Sequence, residues 1–352
     1  MVAISCPEPT APHAMTSYFA FNGDADGLCA LQQLRLAGAS HASDATLVTG
    51  VKRDIRLLER IDARAGDTVT ALDISLDQNR AGLLRLLDAG VAVDYFDHHH
   101  AGDVPSHAGL RAHIDEAAQV CTSILVDRHL DGRHRRWAVT AAFGDNLGDV
   151  ARTMAAPLGL DAAQTAVLER LGTCLNYNAY GECVADLHCD PADLAQHMLA
   201  FADPLDFAAQ CATYALLCEG YEDDMARARR LSPMHEVPGA ALLVLPDAPW
   251  ARRAIGVLAN ELVRGRPGDA IGLLSPRSGG GFAVSVRVPA HSATGAADFC
   301  RGFETGGGRR LAGGINHLPD ADVERFTRSF ADCFGAPLSP AGQTPSPPGR
   351  SR

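Results

Sequence analysis

The chain has 352 residues, of which 47% are hydrophobic and 21% charged, with a net charge of −11. That length allows two separate cores, and no apolar run is long enough to span a bilayer. The acidic balance opposes electrostatic wrapping of long nucleic acid and suits short or small phosphate substrates better.

The first residues, through Met15, lack a basic start followed by an apolar stretch, so no secretory signal is read there. Residues 1–16 are expected to be a flexible N-terminus, and Met15 could itself be the start. The ten cysteines are scattered and form no CxxC pair, which reads as reduced thiols in a cytoplasmic protein. Lys52 is the single lysine and is read as a trace of genome composition.

Residues 17–150 alternate β-rich runs (YFAF, TLVTGV, TVTALD, VAVDYF, WAVTAAF) with helical stretches at 27–38, 78–89 and 116–130. This predicts an α/β domain with a mostly parallel sheet. Four motifs follow such runs: Asp24 and Asp26 in FNGDADG, Asp73 in VTALDIS, Asp97-His98-His99 in YFDHHHAG, and Asp145 in AAFGDN. In such sheets ligands bind outside the carboxyl ends of the strands, where all four are expected to emerge.

Residues 151–238 carry Ala- and Leu-rich helical spacing and read as a helical cap and linker. From 239 to 335 the β signals return in AALLVLP, AIGLLS and the hairpin-like SGGGFAVSVRV, with a helix over ARRAIGVLANELV between the first two. An amphipathic helix is expected over 320–334. The Pro/Ser/Gly-rich stretch 336–352 reads as a disordered tail. SerGlyGlyGly at 278–281 lacks the GKS/T element of a P-loop and reads as a hairpin turn.

Carboxylates with a neutral imidazole suit a hard or borderline divalent ion. Each motif alone is ordinarily a turn or a helix cap. Their joint occurrence, in this order, points to a metal site, and so many carboxylates without cations would repel one another strongly. Thr122 and Ser123 open a helix after the histidines and either cap it or present N–H groups to phosphate. In LNYNAYGE, Tyr177 and Tyr180 can stack bases, but a buried, hydrogen-bonded helix end is the better reading. Cys183, His188 and Cys189 match no zinc spacing.

The four ordered motifs, with Gly306-Gly307-Gly308, Arg309, Arg310 and Gly313-Gly314 further on, resemble those of the DHH phosphoesterases followed by a DHHA1 domain. The resemblance implies a DHH domain over 17–150, a smaller α/β DHHA1-like domain over 239–335, and an active site in the cleft between them. It implies two manganese ions, with magnesium as the alternative. Asp24 would hold one ion, Asp26, His98 and Asp145 the other, with Asp73 bridging and Asp97 counted in the metal cluster. His99 would meet the scissile phosphate.

The implied reaction is hydrolysis of a phosphodiester or phosphomonoester by a dimetal-bound hydroxide, as in an exonuclease. The implied substrates are short oligonucleotides or nucleotide-like phosphates, gripped by Arg287, Gly306, Gly307, Gly308 and Arg309. Cyclic dinucleotides, adenosine bisphosphate and polyphosphate or pyrophosphate are alternatives, as is a silent nucleic-acid or protein binding module. A homodimer is among the options. The chain departs from the family just upstream of Asp24, where a histidine is common and this chain has Asn22 and Ala20, and at Arg309, which replaces the histidine of the glycine motif.

Overall fold

The computed structural model describes residues 15–38 and 45–335. The tail expected at 336–352 and most of the N-terminal stretch lie outside the described residues. Internal contacts divide the chain into a first unit, residues 1–223, and a second, residues 224–352.

Five strands build the first unit's sheet: β1 (Ser17–Phe21), β2 (Thr46–Val48), β3 (Thr68–Leu72), β4 (Ala92–Asp97) and β5 (Leu110–Ile114). All pair in parallel, in the order β2-β1-β3-β4-β5. The crossovers α1 (Ala25–Leu36) and α2 (Leu76–Asp88) follow from the sequence. Asp24 caps α1 by accepting the Asp26 and Gly27 N–H groups, and Ser75 caps α2 by accepting that of Gln78. Leu76, Leu83, Leu86 and Leu87 of α2 join Val69, Ala71, Val93 and Tyr95 of the sheet in one core. In this strand order the chain leaves β1 toward β2 on one side and returns to β3 on the other. Such a reversal opens a crevice at the carboxyl ends of the strands.

Two expectations fail here. WAVTAAF is not a strand but the middle of a helix, α4 (Arg135–Gly144). All seven of its residues are buried, and a short, uniformly buried run carries no period that separates strand from helix. The fifth strand is instead LRAHI, whose half-exposed polar residues mark an edge and hide it from an apolar search. In addition, the helix expected over 116–130 begins only at Thr122, giving α3 (Thr122–His129).

The helical reading of the next region holds: α5 (Gly148–Ala155), α6 (Ala162–Asn178), α7 (Pro191–Met198), α8 (Pro204–Gln210) and α9 (Ala212–Ala228) follow in turn. Among the described residues no helix is long and apolar enough to cross a membrane.

The second unit has a mixed sheet of β6 (His235–Val237), β7 (Ala240–Val244), β8 (Ala270–Pro276), β9 (Phe282–Arg287), β10 (Gly306–Gly308) and β11 (Ala312–Leu318). Its order is β10-β11-β9-β8-β7-β6, parallel only between β7 and β8, which α10 (Pro249–Gly265) connects. The expected hairpin is the β8–β9 pair, turned by Gly280 and Gly281 at positive φ. The short α11 (Ala296–Cys300) and the amphipathic α12 (Val323–Phe334) complete the unit. Phe326 and Phe330 of α12 pack with Leu242, Val284, Val286 and Ile315.

Candidate metal centre

The loops after β1, β3 and β4 bring their acidic residues and histidines to one place. Asp24 and Asp26 leave β1, Asp73 follows β3, and Asp97 ends β4 with His98 and His99 next. Asp145 joins them from the C-terminal end of α4 rather than from a strand. The expected strand end at Asp145 is therefore a helix end.

His98 stands at the focus. Its Nε2 lies 3.4 Å from Asp73 Oδ1, 3.9 Å from Asp26 Oδ2 and 4.0 Å from Asp145 Oδ2. Donor atoms of Asp73, His98 and His99 fall close enough together to hold one ion. His99 Nδ1 is 2.6 Å from Asp97 Oδ1 and 3.9 Å from Asp73 Oδ1. An Nδ1 that donates to a carboxylate has no lone pair left for an ion, so an ion on His99 would sit at Nε2.

Asp97 is fully buried, and its second oxygen, Oδ2, has no hydrogen-bond partner. Its Oδ1 meets His99 Nδ1, so Asp97 orients that ring. His100 is exposed and pairs with Glu116.

Asp26 is held rigidly. Its two oxygens accept the backbone N–H groups of Thr122 and Ser123, each at 2.7 Å. These are the first N–H groups of α3, where a helix end favours a carboxylate. The N–H groups that sequence offered to phosphate are therefore taken by Asp26. The Thr122 hydroxyl reaches Asp73 Oδ1 at 3.2 Å.

Asp73 adopts a left-handed backbone, φ 59°, uncommon outside glycine. Burial, then the charges of Asp26, Asp24 and Asp145, push its carboxyl well above the ordinary range. Burial likewise raises Asp145, with Lys52 opposing. Packed carboxylates that resist ionisation are what a divalent cation relieves, so the donor set fits a hard or borderline ion.

Sequence reasoning passed over Lys52. Its ammonium donates to Asp24 Oδ2 and, at 3.1 Å, to Asn176 Oδ1. Burial would raise Asp24, but the Lys52 charge and hydrogen bond outweigh it and leave Asp24 lowered. The one available signal was that a chain using arginine everywhere else keeps a lysine here. In LNYNAYGE, Tyr177 and Asn178 are fully buried, and Tyr177 hydrogen-bonds His188, as the helix-end reading expects. Among the described residues no metal-holding group forms at Cys183, His188 and Cys189.

The glycine motif lies in the second unit. Gly306, Gly307 and Gly308 form the edge strand β10, paired with β11. A Cβ at Gly306 would fall 1.7 Å from the Cys300 carbonyl oxygen, and Gly308 has φ 129°, so the fold itself demands glycine at both. Gly307 has open space. Arg309 is exposed at the β10–β11 turn. The Arg287 guanidinium is held by Asn260 Oδ1 at 2.8 Å and by Ser285 Oγ at 3.0 Å.

Solved structures share this arrangement of elements over 90% of the chain. A manganese-bound exonuclease RecJ matches with TM-score 0.60 and 17% identity, over 90% of its own length. RecJ of Thermus thermophilus, in complex with Mn2+, matches with TM-score 0.62 and 18% identity over 51% of its length. The fold is that of the RecJ exonucleases. It agrees with the DHH resemblance carried by the motifs. This chain spans about half of the Thermus RecJ chain. No protein-family model and no curated protein sequence matches it.

Proposed function

We propose that the protein is a metal-dependent phosphoesterase acting on short oligonucleotides or nucleotide-like phosphates. The observation that carries this reading is the convergence of three carboxylates, Asp26, Asp73 and Asp145, on His98 Nε2. That convergence lies at the carboxyl edge of a parallel sheet whose strand order opens a crevice there. Manganese or magnesium fits these donors, and RecJ structures of this fold hold manganese.

A bound divalent ion supplies positive charge to phosphoryl oxygens and acidifies water. The chain's own residues do the rest. The N–H groups of α3 fix Asp26, so its oxygens are aimed before any ligand arrives. Asp97 fixes the His99 ring through Nδ1 and leaves Nε2 to meet substrate. Burial disfavours a charged ring, but the Asp97 hydrogen bond and charge outweigh it and raise the His99 pKa. A protonated His99 can hand its Nε2 proton to the departing oxygen or add charge beside the phosphoryl group.

In the second unit, exposed Arg309 and open Gly307 are the residues we assign to substrate phosphate. Arg287, tied to Asn260 and Ser285, is assigned a supporting role. The chain's acidic balance, −11 overall, favours small substrates over long strands.

The test is product release from di- to pentanucleotides, a cyclic dinucleotide, adenosine bisphosphate and polyphosphate, with manganese, with magnesium and with chelator. Metal-dependent release from a nucleotide substrate, abolished in Asp73→Ala, is the expected result. Release from polyphosphate alone would move the substrate class. No release at all would turn the assignment to a binding protein.

A further inference from the structure

The position of Lys52 bears on how many ions the centre takes, a question that rests on the reading of Asp26, Asp73, His98 and Asp145 as a metal site. Both Asp24 oxygens are hydrogen-bonded, as those of Asp26 are, but one of them faces a cation of the chain itself. Asp24 Oδ1 accepts the N–H groups of Asp26 at 3.0 Å and Gly27 at 3.2 Å, and its Oδ2 accepts the Lys52 ammonium. Asp26, Asp73 and Asp145 all approach His98 Nε2 within 4.0 Å, and no such approach joins His98 to Asp24.

Lys52 is built into this place rather than swung toward it. Its backbone N–H donates to the Ala179 carbonyl oxygen at 2.9 Å, which ties it to the end of α6. Asn176, on the last turn of the same helix, accepts a second ammonium hydrogen at 3.1 Å. The Tyr180 ring lies 5.8 Å from Nζ, within range of a cation–π contact.

Chemistry explains why a lysine stands here in an arginine-rich chain. An ammonium is a compact point charge, close in size and hydration to a small cation, whereas a guanidinium is a broad planar fork. The neighbouring Asn22 is buried, neutral and leaves its Oδ1 without a hydrogen-bond partner, so it offers no charge that would hold a cation against Lys52. One ammonium and one divalent ion would together offset three of the four carboxylate charges of Asp24, Asp26, Asp73 and Asp145.

We propose that Lys52 is a built-in cation: its ammonium occupies Asp24 in place of the ion that the family resemblance gives that residue. The centre then takes one divalent ion, on Asp26, Asp73, His98 and Asp145.

The experiment is manganese titration of the full chain by calorimetry, with Mn2+ electron paramagnetic resonance on the loaded protein. Wild type should bind one ion and give the signal of an isolated Mn2+. Lys52→Gln, which keeps the length and removes the charge, should bind two and give an exchange-coupled signal. Circular dichroism checks its fold, and Lys52→Met serves if Lys52→Gln does not fold. Asp24→Asn should keep binding one ion, because Asp24 is not a ligand of it.

Two ions in wild type would overturn the built-in cation and leave the hydrolase reading standing. A Lys52 variant that still binds one ion, or an Asp24→Asn variant that binds none, would also overturn it. No binding by wild type would instead remove the metal-site reading on which the inference rests.

Discussion

Asp73 concentrates the conflict between stability and function in this centre. It is buried, its backbone is left-handed, and its carboxyl is raised first by burial and then by Asp26, Asp24 and Asp145. A group whose folded pKa is raised stabilises the protein fully below its unfolded value, ordinarily 3.8, and that stability is lost as pH rises through the folded pKa. In chelator, therefore, the melting temperature of wild type should fall as pH climbs from the carboxylate range. Asn tolerates the left-handed region, so Asp73→Asn removes the charge without adding strain. It should raise the metal-free melting temperature, by ~2–4 °C for each kcal/mol of repulsion relieved, and abolish the stabilisation by manganese. An unchanged pH slope in the variant would show that Asp73 is not the strained charge.

Legibility in the sequence divides along the same line. Asp24, Asp26, Asp73 and His98 stood out because turn residues and histidines followed apolar runs. Lys52 did not, because an isolated basic residue 28 positions from its partner Asp24 has no local pattern.

A second residue-scale expectation concerns Cys174 and Cys218, whose sulfurs lie 3.6 Å apart. The hydrogen bond from Cys174 pulls the half-buried Cys218 thiol down to about 6, against burial and with help from Tyr214 and Arg170. Cys218 should then alkylate with iodoacetamide at a rate that levels off above about pH 6. Cys29 and Cys121, pushed up chiefly by burial, should stay unlabelled. A Cys218 rate still rising at pH values near 9, the ordinary thiol pKa, would remove the claim.

At the scale of elements, the centre depends on helices as much as on the sheet. α3 supplies the N–H groups that fix Asp26, α4 carries Asp145, and α6 carries Asn176. The β1, β3 and β4 loops and the helical character of α3 and α6 were read from the sequence, whereas α4 was not. The α4 segment passed for a strand because every residue of WAVTAAF is buried, so its helical period has no polar face to reveal it.

Close helix crossings make this layer sensitive. A Cβ at Gly144 would lie 2.4 Å from the Ala25 Cβ and 2.8 Å from the Gly172 carbonyl oxygen. Gly144→Ala must therefore push α4 from α1 and α6, at a cost of ~1–3 kcal/mol. Because Gly144 precedes Asp145 and Ala25 lies between Asp24 and Asp26, manganese affinity should fall along with the melting temperature. A stability loss with unchanged affinity would mean that the layer yields elsewhere.

At the scale of the whole molecule, the proposed labour is divided between two units with separate cores. Every candidate ligand, together with Lys52, lies within residues 1–223, whereas Arg287, Gly307 and Arg309 lie beyond. The division falls inside α9: Tyr221 packs edge-on against Tyr177 of the first unit, while Asp224 accepts from Arg253 of the second. A chain of residues 15–231 keeps α9 whole and loses only partners on the far side of that division. It should melt cooperatively and bind manganese with the affinity of the full chain, because its sheet and helices form their own core. If the second unit grips substrate phosphate, the loss should appear mainly in KM, and Arg309→Ala in the full chain should reproduce part of it. An unchanged KM in the shortened chain would confine substrate recognition to the centre itself. Lost metal binding would show that the first unit's fold depends on the second.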